Sequence, residues 1–221
     1  MSRFNVYNVN GDGNCFYRCI WNIAKCETEI ADALCIEDLS DEDTGLLEVR
    51  SFVAQSLKYE PFAQSILGNL IKLYKEAPYL TENYPILKHI KTGADLVTNC
   101  KTVADIIEKT NIYASGIELD IVKHRFRAII AYPILDIEIL VISHKRGIPK
   151  SDLADKWLRE LHAMMRNVSC DRVVVLINED NVHYRYGKFE TTAVIDKNVL
   201  APWLDALMNE NSDSDSDSDN E

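Results

Sequence analysis

The stretch Asn10-Gly11-Asp12-Gly13-Asn14-Cys15-Phe16-Tyr17-Arg18 decides the reading of this chain. Upstream, Arg3-Phe4-Asn5-Val6-Tyr7-Asn8-Val9 reads as an extended arm. Downstream, Phe16, Cys19, Ile20, Ile23 and Ala24 recur at helical spacing. Cys15 therefore stands where a glycine-rich turn becomes a helix. The first N–H groups of a helix lack intrahelical partners and point ahead of it. They carry partial positive charge, which favours an anion. A cysteine there is a candidate thiolate, with its pKa expected to be pulled down. Gly11 and Gly13 allow backbone angles that other residues resist. The turn's backbone N–H groups, at Gly13, Asn14 and Cys15, are the expected oxyanion hole. On position alone, a cysteine at a helix start is more often a small buried hydrophobe. The weight falls on its neighbours.

Composition narrows the classes. The chain has 221 residues and a hydrophobic share of 47%, enough for one sizeable core of ordinary globular type. No apolar run is long enough for a membrane span. The N-terminus shows no signal-peptide pattern, so a cytoplasmic or nuclear setting is expected rather than secretion. The six cysteines then read as reduced thiols. No Cys-x-x-Cys pair occurs, so neither a zinc site nor another cofactor is expected. Of the net charge of −11, six acidic residues fall within 210–221, which leaves −5 for the rest. No strong basic tract is present, which argues against nucleic acid as a partner. The Ser/Asp-rich segment 210–221 cannot bury apolar surface and is expected to be disordered, leaving 1–209 as one domain.

Along that domain, helices are expected over 45–57, with Leu46, Val49, Arg50, Val53 and Leu57 on one face, over 66–74 and over 102–110. Asp43 or Thr44 is the expected cap of the first. Apolar, β-branched runs at 137–143 and 172–178 read as buried strands. Between them, a helix opening at Ser151 carries Leu153, Trp157, Leu161 and Met164 on one stripe. Residues 182–186 alternate, with Val182, Tyr184 and Tyr186 on one face and His183 and Arg185 on the other. A returning strand over 189–195 and a closing helix over 198–208 follow. Helices first, then strands with a helix between them, predict an α+β fold: a central β-sheet flanked by helices.

Two short motifs, far apart and in order, resemble the signature of the ovarian-tumour (OTU) family of cysteine proteases, which cleave ubiquitin from proteins. That family reads Asp-Gly-Asn-Cys, then an aromatic residue or leucine and a helix. Asp12-Gly13-Asn14-Cys15-Phe16-Tyr17-Arg18 matches it position by position. The family also carries a late histidine followed by an aromatic residue on a strand, supplied by Asn181-Val182-His183-Tyr184. Ser115-Gly116-Ile117-Glu118-Leu119 resembles a third landmark, a helix leading into a sheet strand, for which 127–132 is the candidate.

The resemblance implies an OTU-like, papain-type cysteine protease fold. It implies a deubiquitinase that hydrolyses the isopeptide or peptide bond at ubiquitin's C-terminal glycine through a Cys15 thioester, with His183 as general base and acid. Implied partners are ubiquitin, polyubiquitin chains and ubiquitin-like modifiers, with no nucleic acid and no membrane; a monomer is expected. Such a domain suits a large DNA virus acting inside host cells, or a small eukaryotic enzyme.

The sequence departs from the family at the third catalytic position. Many members place Asp or Asn two residues after the histidine; here Arg185 stands there, and arginine has no acceptor. Asn181, two residues before His183 on the same strand face, is the expected orienter. Asp12 is counted with the site, with a role in shaping the turn. His89, His124, His144 and His162 fall in helical or loop stretches with charged neighbours and read as surface or capping residues. The alternative function is an OTU-fold ubiquitin-binding module with weak or no catalysis. Arg185 favours it, and the Cys15/His183 pair argues against it.

Overall fold

The computed structural model describes residues 4–77, 79, 84–109, 112–128, 131–145, 150–180 and 183–213. The chain runs β1 (Phe4–Tyr7), α1 (Cys15–Cys26), α2 (Thr28–Ala33), α3 (Glu42–Tyr59), α4 (Pro61–Glu76), α5 (Leu96–Ile107), α6 (Gly116–Arg127), β2 (Ile137–His144), α7 (Lys150–Met165), β3 (Arg172–Glu179), β4 (His183–Phe189), β5 (Ile195–Asp196) and α8 (Lys197–Asp213). A short 3-10 helix, Pro85–His89, precedes α5. The fold is α+β, with helices packed on a mixed sheet.

The unbroken apolar run of β3 is explained by its place inside the sheet. Strand order is β1-β4-β3-β2, with β5 pairing the start of β3. Residues 173–178 are buried. A strand covered on both faces loses the alternation that marks a half-exposed one. β2 and β3 are parallel, joined by the α7 crossover; β3–β4 and β1–β4 are antiparallel. On one face Val174, Leu176, Tyr184 and Tyr186 pack against α1 and the helices before β2. On the other, Leu140, Ile142, Val173, Val175 and Ile177 meet Leu161 and Met165 of α7 and Leu200 and Leu204 of α8. Met165 is thus the buried methionine of the α7 stripe, and Met164 is only half-buried.

This packing brings the two motifs together. Phe16 and Ile20 of α1 are fully buried, each stabilising by about 1.5–3 kcal/mol. The Phe16 ring meets Tyr184 of β4 edge-on, with centroids 5.2 Å apart. The helix that carries Cys15 is therefore seated on the strand that carries His183. Register sets a row at the edge of the sheet, with Glu179 opposite both His144 and His183.

Several expectations are corrected. The strand expected over 127–132 does not form at its described residues: α6 continues to Arg127, and residues 131–133 bend. Buried Arg125 donates to the carbonyls of Ala33, Tyr132 and Pro133, so at Tyr132 a side chain takes the acceptor that a strand partner would have used. Residues 129 and 130 lie outside the described residues. The returning strand over 189–195 is instead a tight turn closed by reciprocal backbone bonds between Phe189 and Thr192, and only Ile195–Asp196 rejoin the sheet. α3 begins at Glu42 and is capped by Asp41, whose carboxylate accepts from the Thr44 N–H. α8 continues to Asp213, into the acidic segment expected to begin at 210; residues 214–221 lie outside the described residues. Among the described residues, no helix is long and apolar enough to cross a membrane.

Candidate active site

Cys15 is the first residue of α1, and Asn14 is its N-cap. Asn caps usually bond the helix's own first N–H groups through the side chain. Here the Asn14 side chain makes no such bond. Its Oδ1 instead accepts from Arg50 of α3, at 2.6 Å from Nη2 and 3.2 Å from Nε. The turn before it needs Gly13, whose φ is 88°. Asp12 Oδ1 accepts from the Asn14 N–H at 3.0 Å, and its two oxygens take Nη1 and Nη2 of Arg18 at 2.9 Å each. Arg18 also donates to Glu42 and to the Asn10 carbonyl. The bidentate guanidinium holds the Asp12 carboxyl down to about 2. Asp12 thus shapes the turn.

The Cys15 side chain is buried, with the residue 1% exposed. The Tyr184 N–H, next to His183, donates to its Sγ at 3.4 Å. Burial pushes the thiol up from 9.0, against the opposing pull of backbone N–H groups of Tyr184, Phe16 and Cys15 itself. The expected depressed pKa is therefore corrected. At this helix start, desolvation outweighs the N-terminal field, so the resting thiol is protonated at neutral pH.

The oxyanion expectation is corrected at one position. The Asn14 N–H is engaged by Asp12. The Asn14 carbonyl accepts from the Arg18 N–H at 2.8 Å. A trans peptide directs its N–H opposite to its carbonyl, so the Cys15 N–H points ahead of the helix, toward the thiol. Gly13 contributes its conformation to the same turn.

His183 opens β4. Its Nε2 lies 3.0 Å from Asn8 Oδ1. A Cβ added at Gly11 would sit 3.5 Å from His183 Nδ1, so the imidazole lies against that glycine. Tyr113 Oη donates to the Gly11 carbonyl at 3.2 Å and steadies the same loop. Asn181, the expected orienter, lies outside the described residues. Arg185 shares the His183 face and donates to Glu179 Oε2 at 3.0 Å. It is thereby tied to the carboxylate opposite the histidine.

Sequence reasoning missed Asn8 and underread Arg50. The signal for Asn8 lies in the arm: β1 pairs with β4 up to Tyr7 opposite Tyr186, and Phe4 and Val6 alternate toward one core. Asn8 continues that alternation toward His183. Arg50 was visible only as a charge on an apolar helix face.

Of the remaining histidines, His124 stacks on Phe62, and His162 Nε2 is 2.7 Å from Asp205 of α8. His144 corrects its loop reading: it ends β2, is buried, and lies beside Trp157. Among the described residues, no group of three or more His, Cys, Asp or Glu side chains is placed to hold a metal ion. Comparison with protein-family models, with curated proteins and with solved structures returned no match.

Proposed function

We propose that this chain is a cysteine hydrolase of OTU-like type that releases ubiquitin from its conjugates. The observation that carries the reading is one convergence. A thiol at a helix N-terminus accepts the N–H of Tyr184, while the neighbouring His183 holds its far nitrogen against an amide oxygen. Nucleophile, base and orienter in that order are the elements of a Cys/His hydrolase. The Asp-Gly-Asn-Cys and His-Tyr motifs supply the substrate class by resemblance.

In the proposed reaction, the Cys15 proton passes to His183 as Sγ attacks the carbonyl carbon of ubiquitin's C-terminal glycine. The Cys15 N–H, ahead of the helix, meets the developing oxyanion. His183 returns the proton to the leaving lysine amine, the C–N bond breaks, and a thioester remains. Water, deprotonated by His183, hydrolyses the thioester and regenerates the thiol. Asn8 Oδ1 accepts from Nε2–H throughout, so Nδ1 is the nitrogen that exchanges the proton. Because Asn8 offers this acceptor, Arg185 carries less weight for a purely binding module.

The test is reaction of the purified protein with ubiquitin bearing a C-terminal electrophile, beside Cys15→Ala and His183→Ala. An adduct in the wild type that is lost in Cys15→Ala, and much slowed in His183→Ala, is expected. A wild-type protein that binds ubiquitin yet forms no adduct would replace this reading with the binding module.

A further inference from the structure

Arg50 is 1% exposed, in a helix whose same face is otherwise apolar. A buried guanidinium is tolerated only when its donors are met, and where these donors go is informative. Nη1 reaches the Ile107 carbonyl at 2.9 Å and Nη2 the Ile112 carbonyl at 2.9 Å. The other bonds go to the nucleophile turn: Asn14 Oδ1 at 2.6 and 3.2 Å, and the Gly13 carbonyl at 3.3 Å. The guanidinium lies over the Tyr17 ring, 3.9 Å from its centroid. The Tyr17 hydroxyl donates to Glu118 at 3.4 Å, and Glu118, also 1% exposed, accepts from the N–H and hydroxyl of Ser115. A buried carboxylate thus balances the buried cation through an aromatic ring.

The consequence falls on one peptide plane. The Gly13–Asn14 unit is gripped from both sides, its carbonyl by Arg50 and its N–H by Asp12. The next N–H along, that of Cys15, takes its direction from this plane and from the first helical bond. We infer that Arg50 is a positioning residue for the oxyanion donor: through Asn14 and the Gly13 carbonyl, it aims the Cys15 N–H at the site of the developing charge. The inference rests on the hydrolase reading for its substrate. Its geometry concerns any carbonyl attacked by Cys15.

Arg50→Lys keeps the charge but lacks the fork that spans Asn14 Oδ1 and the Gly13 carbonyl. Three rates or affinities separate the outcomes. Alkylation of Cys15 by iodoacetamide develops no oxyanion. A short aldehyde, acetyl-glycyl-glycinal, forms a hemithioacetal whose oxygen needs the donor; its affinity is read as protection of Cys15 from alkylation. Turnover of a ubiquitin C-terminal amide reads the full reaction. In Arg50→Lys, kcat and aldehyde affinity are expected to fall about 10²–10³-fold, with alkylation and KM within about threefold of wild type. Unchanged aldehyde affinity would overturn the inference. So would alkylation and aldehyde affinity falling together with the melting temperature, since that is loss of fold. Asn14→Ala, which removes Arg50's shortest contact, is the second variant should Arg50→Lys not fold, and the same split is expected. A wild type that binds the aldehyde but leaves ubiquitin amides intact would sink the substrate reading alone, with Arg50 judged on the aldehyde. A wild type that binds no aldehyde would sink the inference itself.

Discussion

Asn8→Ala removes an acceptor from the far nitrogen of the candidate base. The bond is 3.0 Å long, from His183 Nε2 to an exposed asparagine. As an ordinary hydrogen bond its net worth is about 0.5–1.5 kcal/mol. During attack the imidazole gains the thiol's proton, and the same bond becomes charge-assisted, worth about 1.5–3 kcal/mol. The difference acts on the barrier. At about 1.4 kcal/mol per tenfold, that difference of about 1–1.5 kcal/mol slows turnover by about 5–12-fold, the lower end being favoured by solvent access. KM is expected to hold, because the bond strengthens only as charge develops. Asn8→Asp keeps an acceptor and is expected within about threefold of wild type. The assay is steady-state hydrolysis of a fluorogenic ubiquitin C-terminal amide, with Asn181→Ala run alongside. If Asn8→Ala loses less than about threefold while Asn181→Ala loses the full factor, the orienter is Asn181 and the assignment to Asn8 is wrong.

Further outcomes follow from particular contacts. Because burial raises the Cys15 thiol above 9.0, alkylation of Cys15 by iodoacetamide, read on its own peptide by mass spectrometry apart from exposed Cys26 and Cys35, should keep rising through pH 9.0; a plateau reached near neutral pH would contradict a protonated resting thiol. The Asp12 carboxyl, lowered from 3.8 to about 2, stabilises the fold fully above 3.8 and loses that contribution as pH falls through 2. The melting-temperature gap between wild type and Asp12→Asn should therefore close over that window, and a gap constant with pH would count against the Arg18 pairing. At Gly45 an added Cβ would lie 2.1 Å from Trp21 Nε1 and 2.9 Å from the Asp38 carbonyl, disrupting the Trp21–Asp38 bond. Gly45→Ala should cost about 1–3 kcal/mol, seen in chemical denaturation as a lower midpoint; an unchanged midpoint would show that Trp21 yields freely. At Gly187 a Cβ would lie 2.2 Å from Phe4 Cζ. Gly187→Ala should push the β1 arm from β4 and lower turnover alongside stability, an effect absent if Asn8 has no part in the reaction.

Local chemistry was legible wherever one residue's neighbours in the chain are also its neighbours in space. The turn into α1 could be read because Gly13, Asn14 and Cys15 act on each other within a few residues. The strands over 137–143 and 172–178 were legible because a doubly covered strand leaves a run of β-branched residues. What stayed hidden is long-range. Asn8 meets His183 across 175 positions; the alternation of Phe4 and Val6 gives its face, but nothing in the arm names the partner it faces. The 127–132 segment looked like a strand by composition, yet Arg125 takes the Tyr132 carbonyl at its end from within the preceding helix. The direction of the Cys15 shift was misjudged because helix-start position is local, whereas desolvation is set by α1 seating against β4.

Seen through its contacts, each residue of Asp12-Gly13-Asn14-Cys15 has a distinct physical task. Asp12 closes the turn by accepting the Asn14 N–H and is itself held by Arg18. Gly13 supplies the positive φ. Asn14 gives its side chain to Arg50 rather than to its own helix, so the first-turn N–H groups keep their direction toward the thiol. The motif is held by two buried arginines outside it, Arg18 reaching out to the half-exposed carboxylates of Asp12 and Glu42 and Arg50 reaching acceptors in the core. Replacing either by lysine keeps net charge while losing the planar fork. On this reasoning, Arg18→Lys disturbs the turn through a part-buried bridge whose carboxylates reach solvent, and tolerates the change better than Arg50→Lys, whose acceptors lie in the interior. Equal losses of aldehyde affinity in the two variants would mean that the turn is held by charge alone, and the geometric account of the motif would fail.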